Sequence, residues 1–194
     1  MHWRDRLMRR PALNEPGHAH ELTFTCFRCF SFLRSDRTCE WLAQTVDEAR
    51  RRLDFSLWAY VFMPAHVHLL IFPKQLGYQI KTILTAIKEP VARKAIEHLA
   101  EHSPEWLERI TVKRGKRLRR RFWQPGGGFD HNALDPHVIL RMIEYIHANP
   151  VRRGLVENPD DWKWSNAGWH EGKNSLRPGV VDVGGLTGFF RGRE

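Results

Sequence analysis

Two histidines separated by a single residue, His66 and His68, lie in the run Tyr60-Val-Phe-Met-Pro-Ala-His-Val-His-Leu-Leu-Ile-Phe72, where nearly every other side chain is apolar. An imidazole among apolar neighbours is costly unless it is hydrogen-bonded or used. In an extended strand, side chains two apart point to the same face. The pair therefore offers two nitrogens side by side from a stiff scaffold, which is half of a metal site. A cation held there needs another ligand and a reactive group beside it.

Tyrosine supplies the reactive group. The chain has three, Tyr60, Tyr78 and Tyr145. Tyr145 falls in a segment with helical periodicity, and Asn149 follows it four residues on, on the same helix face. Val138 and Met142 continue that stripe backwards, so Tyr145 and Asn149 share the face expected to pack inward. His147 points roughly the other way. Tyr60 and Tyr78 read as packing residues, and His131 either approaches the site or, in the preferred reading, is a hydrogen-bonded structural histidine. A phenol with a pKa of about 10 is a poor nucleophile by itself. It becomes effective when a cation polarises the phosphate it attacks and stabilises the leaving oxygen. Two imidazoles and an amide oxygen form a mixed donor set with open positions. Magnesium prefers oxygen and manganese accepts imidazole, so Mg²⁺ or Mn²⁺ is the expected cofactor.

The elements that must position these groups follow from pattern. His20–Phe27 reads as a first strand, rich in β-branched and aromatic residues. Asp36–Leu53 reads as a helix with Leu42, Val46, Ala49 and Leu53 in step and Arg50, Arg51 and Arg52 largely off that face. Phe55–Phe62 is a second strand. Met63-Pro64-Ala65 is a tight connection, and His66–Phe72 is a third strand antiparallel to the second. Gly77–Ala100 is helical, with Pro90 kinking it or opening a new segment. Arg121–Gln124 reads as a short fourth strand and Pro125–Gly128 as a flexible loop. Asp135 then caps a helix that has Pro136 at its first position. That helix is expected to stop before Asn149-Pro150. Clustered hairpin strands with helices on a face imply one α+β domain, ferredoxin-like, whose antiparallel sheet carries the histidine strand. Residues 1–16 read as a basic N-terminal extension, 17–170 as the domain and 171–194 as a C-terminal tail.

Lysine and arginine number 31 against 22 acidic residues, a net charge of +9. The pI is near 9.9. A polyanionic partner fits this balance, nucleic acid first. No apolar run reaches membrane-span length and no secretory signal is evident, so the expected location is the cytoplasm, at the nucleoid. Three cysteines, Cys26, Cys29 and Cys39, argue against a disulfide framework. Cys26 and Cys29 form a lone CxxC without the second pair that structural zinc requires. On a strand these two would face opposite sides.

The ordered motifs resemble those of a known family. His66-Val67-His68 is similar to the paired-histidine motif of the HUH single-tyrosine endonucleases, in which the histidines flank a bulky apolar residue. Tyr145-Ile-His-Ala-Asn-Pro-Val-Arg-Arg-Gly-Leu-Val156, followed by Pro159-Asp-Asp-Trp-Lys-Trp-Ser165, resembles the REP-associated tyrosine transposases of the IS200-like group. Gly17-His-Ala-His-Glu-Leu-Thr-Phe24 and Trp58–His68 fit the same family, and the resemblance spans roughly 17–170. It implies cleavage and strand transfer on single-stranded DNA at or near hairpins, through a 5′-phosphotyrosine intermediate with a free 3′-hydroxyl. Tyr145 would be the nucleophile and His66 and His68 metal ligands. Asn149 would be the third polar ligand, where relatives often carry glutamine. Its shorter side chain leaves direct and water-mediated ligation both open.

The implied partner is single-stranded DNA bearing a REP-like palindromic hairpin. Lys113, Arg114, Lys116, Arg117, Arg119, Arg120 and Arg121 could follow its phosphates. Arg152 and Arg153 could hold the scissile phosphate or its neighbours. Phe122, Trp123, Trp162, Trp164 and Trp169 are candidate base platforms, although the tail tryptophans read first as core anchors. Gly126–Gly128 precede the tyrosine helix, so Tyr145 could meet the histidines within a monomer or across a homodimer. The rival readings are a non-catalytic hairpin-binding derivative, a HUH relaxase or replication initiator, and a zinc-stabilised binding module. Retention of both histidines, Tyr145 and Asn149 disfavours the first. The order of the motifs disfavours the second, and the lone CxxC the third.

Overall fold

A computed structural model of the chain describes residues 14–170, without the side chains of Arg114, Trp169 and His170. Most of the basic extension and the whole tail from residue 171 lie outside the described residues.

Four strands form one antiparallel sheet: β1 (Ala19–Thr25), β2 (Phe55–Phe62), β3 (His66–Pro73) and β6 (Phe129–Ala133), in the order β2-β3-β1-β6. With α1 (Asp36–Leu53) between β1 and β2 and α2 (Ile80–His102) after β3, this is the ferredoxin-like α+β arrangement expected. α1 and α2 cover one face over Leu22, Phe24, Val67, Leu69 and Ile71. α4 (Pro136–Arg152) covers the other, laying Ile139, Met142, Ile143 and Ile146 on Trp58, Val61 and Leu70. β3 is the inner strand of both cores, which is why it reads as a near-continuous apolar run.

Several local expectations need correction. The fourth strand of the sheet is Phe129–Ala133, and Arg121–Gln124 supplies only an isolated bridge between Trp123 and Cys26. α2 runs unbroken through Pro90 and is followed by a short helix, α3 (Glu105–Ile110). The basic run is a two-stranded hairpin, β4 (Thr111–Arg114) with β5 (Arg117–Arg120), turning at Gly115. Pro125–Gly128 is anchored rather than free. Gly128 has φ +80°, and a Cβ there would sit 1.9 Å from the Thr23 carbonyl oxygen, so only glycine lets this loop lie against β1.

α4 begins as expected, with the Asp135 carboxylate accepting from the backbone N–H groups of His137 at 2.7 Å and Val138 at 3.3 Å. It does not stop before Asn149-Pro150 but continues to Arg152. Pro150 has no N–H for the Ile146 carbonyl. The Asn149 amide fills in, donating to the Ile146 oxygen at 3.4 Å and the Tyr145 oxygen at 2.8 Å. After α4, a one-turn segment (Pro159–Asp161) and the short α5 (Ala167–His170) close the described chain.

Candidate active site

The face of the sheet beneath α4 changes character along its length. β1 presents Glu21, Thr23 and Thr25 at every second position, and β3 presents His66 and His68 beside them, with Thr23 paired to His68 and Thr25 to His66. α4 runs from the apolar end of this face to the polar end, and its last turns carry Tyr145 and Asn149 over the histidines. The result is a cleft of about 830 Å³ lined by His66, His68, Tyr145, Asn149, Arg153 and Glu21, among others.

The two imidazole rings lie 5.1 Å apart, nearly perpendicular. The Tyr145 ring stands edge-on to His68, with centroids 5.8 Å apart and an interplanar angle of 82°. This meeting takes place within a single chain. The Arg152 guanidinium lies 4.9 Å from the Tyr145 ring centroid. Cation–π attraction of this kind limits how the ring can turn. Tyr145 keeps 41% of its surface exposed and lines the open cleft. Tyr60 and Tyr78 are not alternatives. Tyr60 is 2% exposed. The Tyr78 hydroxyl is bonded to His20 and to the Glu15 carbonyl, and burial pushes its pKa up to about 12.

The histidines are prepared for different reasons. His66 is lowered to about 4, by burial first and then by the neighbouring His68 and the Arg153 charge. It is therefore a neutral imidazole at pH 7, the form that ligates a metal. His68 is 5% exposed, and its Nδ1 lies 2.9 Å from the Thr23 hydroxyl and 3.7 Å from the Glu21 carboxylate. These contacts occupy Nδ1 and leave Nε2 as the ring nitrogen without a protein partner among them. Asn149 is 6% exposed. Two bonds to carbonyl oxygens commit its NH₂ group, so its Oδ1 is the atom left for a ligand.

Among the described residues no group of three or more His, Cys, Asp or Glu side chains forms a metal cage. Two imidazoles and an amide oxygen make an incomplete set with open positions. This donor set suits Mn²⁺ or Mg²⁺.

Sequence reasoning missed Glu21 and Thr23. Their signal is the polar alternation Glu21, Thr23, Thr25 in a strand that is otherwise apolar. Of the two readings of His131, the structure favours approach to the site over the preferred structural role: it is exposed on β6 and lines the cleft. His147 does point away, with its Nε2 3.0 Å from the Asn166 Oδ1. The CxxC lies on a turn rather than a strand. Cys26 is buried there, and Cys29 is exposed at the cleft wall.

The structure brings Arg153 to the cleft and Arg152 to Tyr145. It does not bring the basic run there. Lys113, Lys116, Arg117, Arg119 and Arg120 stand exposed on the β4–β5 hairpin, and Arg121 is half-buried at its base. Most of the candidate base platforms are packing residues. Phe122 is 2% exposed, and Trp123 and Trp164 are each 7% exposed. The indole N–H groups of Trp123, Trp162 and Trp164 donate to the Lys88 carbonyl, the Phe62 carbonyl and the Asp36 carboxylate.

No protein-family model matches the chain. A Haemophilus influenzae protein assigned as a REP-associated tyrosine transposase is 24% identical over 144 residues, spanning 71% of this chain and 77% of that protein. A solved structure of a REP-associated tyrosine transposase bound to a REP hairpin superposes with a TM-score of 0.63 at 20% identity, covering 90% of this chain and 91% of that one. The chain has the fold of a REP-associated tyrosine transposase. In this transposase fold the histidine strand is an inner strand of the sheet and α4 crosses it on the face opposite α1 and α2. The segments after α4 seal the outer edge of β2. There Asn166 accepts from the Tyr60 N–H at 2.8 Å and donates to the Trp58 carbonyl at 3.1 Å.

Proposed function

We propose that the protein is a transposase that cuts and rejoins single-stranded DNA at or near hairpins, with Tyr145 as nucleophile and a divalent cation held by His66, His68 and Asn149. The observation that carries this reading is the approach of the Tyr145 ring to His68 in one cleft with His66 and Asn149. The named function of the Haemophilus relative and the hairpin bound in the structural neighbour support it.

In the proposed reaction the Tyr145 oxygen attacks a phosphodiester phosphorus. The P–O3′ bond breaks as the P–O bond to tyrosine forms, the phenol gives up its proton, and the departing 3′-oxygen gains one. Reversal by a different 3′-hydroxyl joins strands. A bound Mg²⁺ or Mn²⁺ would supply charge neutralisation on the phosphate and the leaving oxygen. The remaining work belongs to the chain. Arg152 holds the tyrosine ring, Arg153 places a positive charge in the cleft for the phosphate, and Thr23 with Glu21 orients His68. Buried packing of α4 on Trp58 and Leu70 fixes the nucleophile over the histidines.

The test uses labelled single-stranded DNA taken from the sequence flanking the protein's own gene, with Mg²⁺ or Mn²⁺, resolved on denaturing gels. Wild-type protein should give a covalent adduct and a shortened strand bearing a 3′-hydroxyl. His66→Ala and His68→Ala should fold and lose both products. Undiminished metal-dependent cleavage by either variant would refute the metal assignment.

A further inference from the structure

We infer that Arg28 and Arg109 form a phosphate clamp for the single-stranded DNA leaving the Tyr145 cleft, separate from the basic β4–β5 hairpin. The inference rests on the DNA-cleaving reading above and adds the path of the strand.

β1 ends in a tight turn at Cys26–Cys29. Arg28 (φ 53°) and Cys29 (φ 57°) both occupy the left-handed region, where each non-glycine residue costs on the order of 1 kcal/mol. Backbone bonds from Cys26 to the Ala65 carbonyl and from Phe27 to the Phe122 carbonyl, both 2.8 Å, hold the turn in place. The Arg28 N–H donates to Gln124 Oε1 at 3.3 Å. This strained turn puts Cys29 in the wall of the catalytic cleft. The next side chain back, Arg28, reaches α3 instead, where its Nη1 donates to the Arg109 carbonyl at 3.4 Å.

Arg109 is held in orientation too. Its guanidinium lies 3.9 Å from the Trp106 ring centroid and 5.1 Å from that of Phe30. Phe30, Phe32 and Trp106 pack edge to face at 5.3–5.6 Å, a platform that fixes the stack. A guanidinium this close to an indole face is restrained, which pre-orients its N–H fork for phosphate oxygens.

Both arginines are exposed. Although Glu105 and Glu108 share α3 with Arg109, the ion pairs of the described residues include neither arginine. Two oriented cations without a carboxylate partner, one of them adjacent in sequence to Cys29 of the cleft wall and bonded to the other's carbonyl, are complementary to a sugar–phosphate backbone. α3 then leads directly into β4, so the clamp lies between the cleft and the basic hairpin along the chain.

The test is anisotropy titration of the full chain against a DNA hairpin with an oligothymidine tail on either side of the stem, and against the same hairpin blunt, over a range of salt. For the Arg28→Gln/Arg109→Gln variant, affinity for the tailed DNA should fall roughly tenfold or more. The slope of log K against log salt should drop by about 1.4 for two single-strand contacts, with blunt-hairpin affinity within about twofold of wild type. Arg28→Gln alone, which leaves the Trp106 stack intact, should lower the slope by about half as much, so the test does not depend on the double variant folding. An unchanged tailed affinity, or equal losses on tailed and blunt DNA, would overturn the clamp. Wild-type protein that binds neither DNA would overturn the proposed function along with it.

Discussion

Tyr145 meets His68 edge to face inside one chain, with ring centroids 5.8 Å apart and planes crossing at 82°. The contact joins the end of a surface helix to an inner strand, and each partner is held from behind. His68 has the Thr23 hydroxyl on its Nδ1 at 2.9 Å. Tyr145 has the Arg152 guanidinium over its ring. In the proposed reaction, a nucleophile and a metal ligand placed this way would need little reorganisation, which is where positioning contributes most.

Asn149 has two separable tasks, and two substitutions distinguish them. Asn149→Ala removes the donors that satisfy the Tyr145 and Ile146 carbonyls and also removes Oδ1. It should cost about 1–3 kcal/mol of stability and weaken Mn²⁺ binding. Asn149→Asp loses the donors but keeps a ligand oxygen, so it should lose comparable stability while retaining Mn²⁺ affinity. Urea unfolding and Mn²⁺ titration followed by electron paramagnetic resonance measure the two effects. An Asn149→Ala protein as stable as wild type would remove the capping role.

His66 should impose a pH dependence on folding. Its folded pKa is lowered to about 4 by burial, His68 and Arg153, while an unfolded histidine titrates near 6.5. Between those values the unfolded chain takes up a proton that the native chain excludes, so stability falls as pH drops through the window and this contribution is constant above it. Comparing wild type with His66→Ala in urea at a series of pH values isolates the effect from the carboxylates. The variant should show a shallower loss between about pH 6.5 and 4. Parallel curves would contradict the assignment.

Gly128→Ala should be strongly destabilising. The added Cβ would meet the Thr23 carbonyl oxygen at 1.9 Å on a backbone with φ +80°, so β1 and the 125–128 loop must separate. A loss of more than about 1 kcal/mol is expected, accompanied by faster amide exchange in β6. A thermal midpoint unchanged from wild type would show that the loop is as loose as its glycines suggest.

The cysteines should differ sharply in reactivity. Burial pushes the Cys26 thiol up to about 12, and Cys39 is buried with its Sγ on the Leu33 carbonyl. Cys29 is exposed in the cleft wall. One thiol should therefore react quickly with a maleimide, and a bulky adduct there should block DNA cleavage while a Cys29→Ser protein resists the block. Rapid labelling of Cys26 would contradict the burial argument.

The two inner strands and the long helices α1, α2 and α4 are legible in sequence because each rests on a strong periodicity, and the same periodicities are what bring His66, His68, Tyr145 and Asn149 together as candidates. β6 is not. Phe129-Asp-His-Asn-Ala is a polar edge strand whose pairing depends on the close approach of Gly128, which no local pattern reveals. The β4–β5 hairpin is masked in a similar way, since Leu118 and Val112 are too few to mark alternation among so many basic residues. The helix end was misplaced by one turn because Pro150 normally terminates a helix, and only the structure shows Asn149 satisfying the carbonyl that proline leaves open. Glu21 and Thr23 escaped because their role comes from the ladder with β3, a contact between distant parts of the chain.

Mass spectrometry of the trypsin-digested DNA adduct formed with Mn²⁺ decides whether Tyr145 is the nucleophile. A nucleotide mass is expected on the peptide Met142–Arg152, fragmenting to place it on Tyr145, with no adduct from Tyr145→Phe. A nucleotide located on Tyr60 or Tyr78, or an adduct that persists in Tyr145→Phe, would contradict that role.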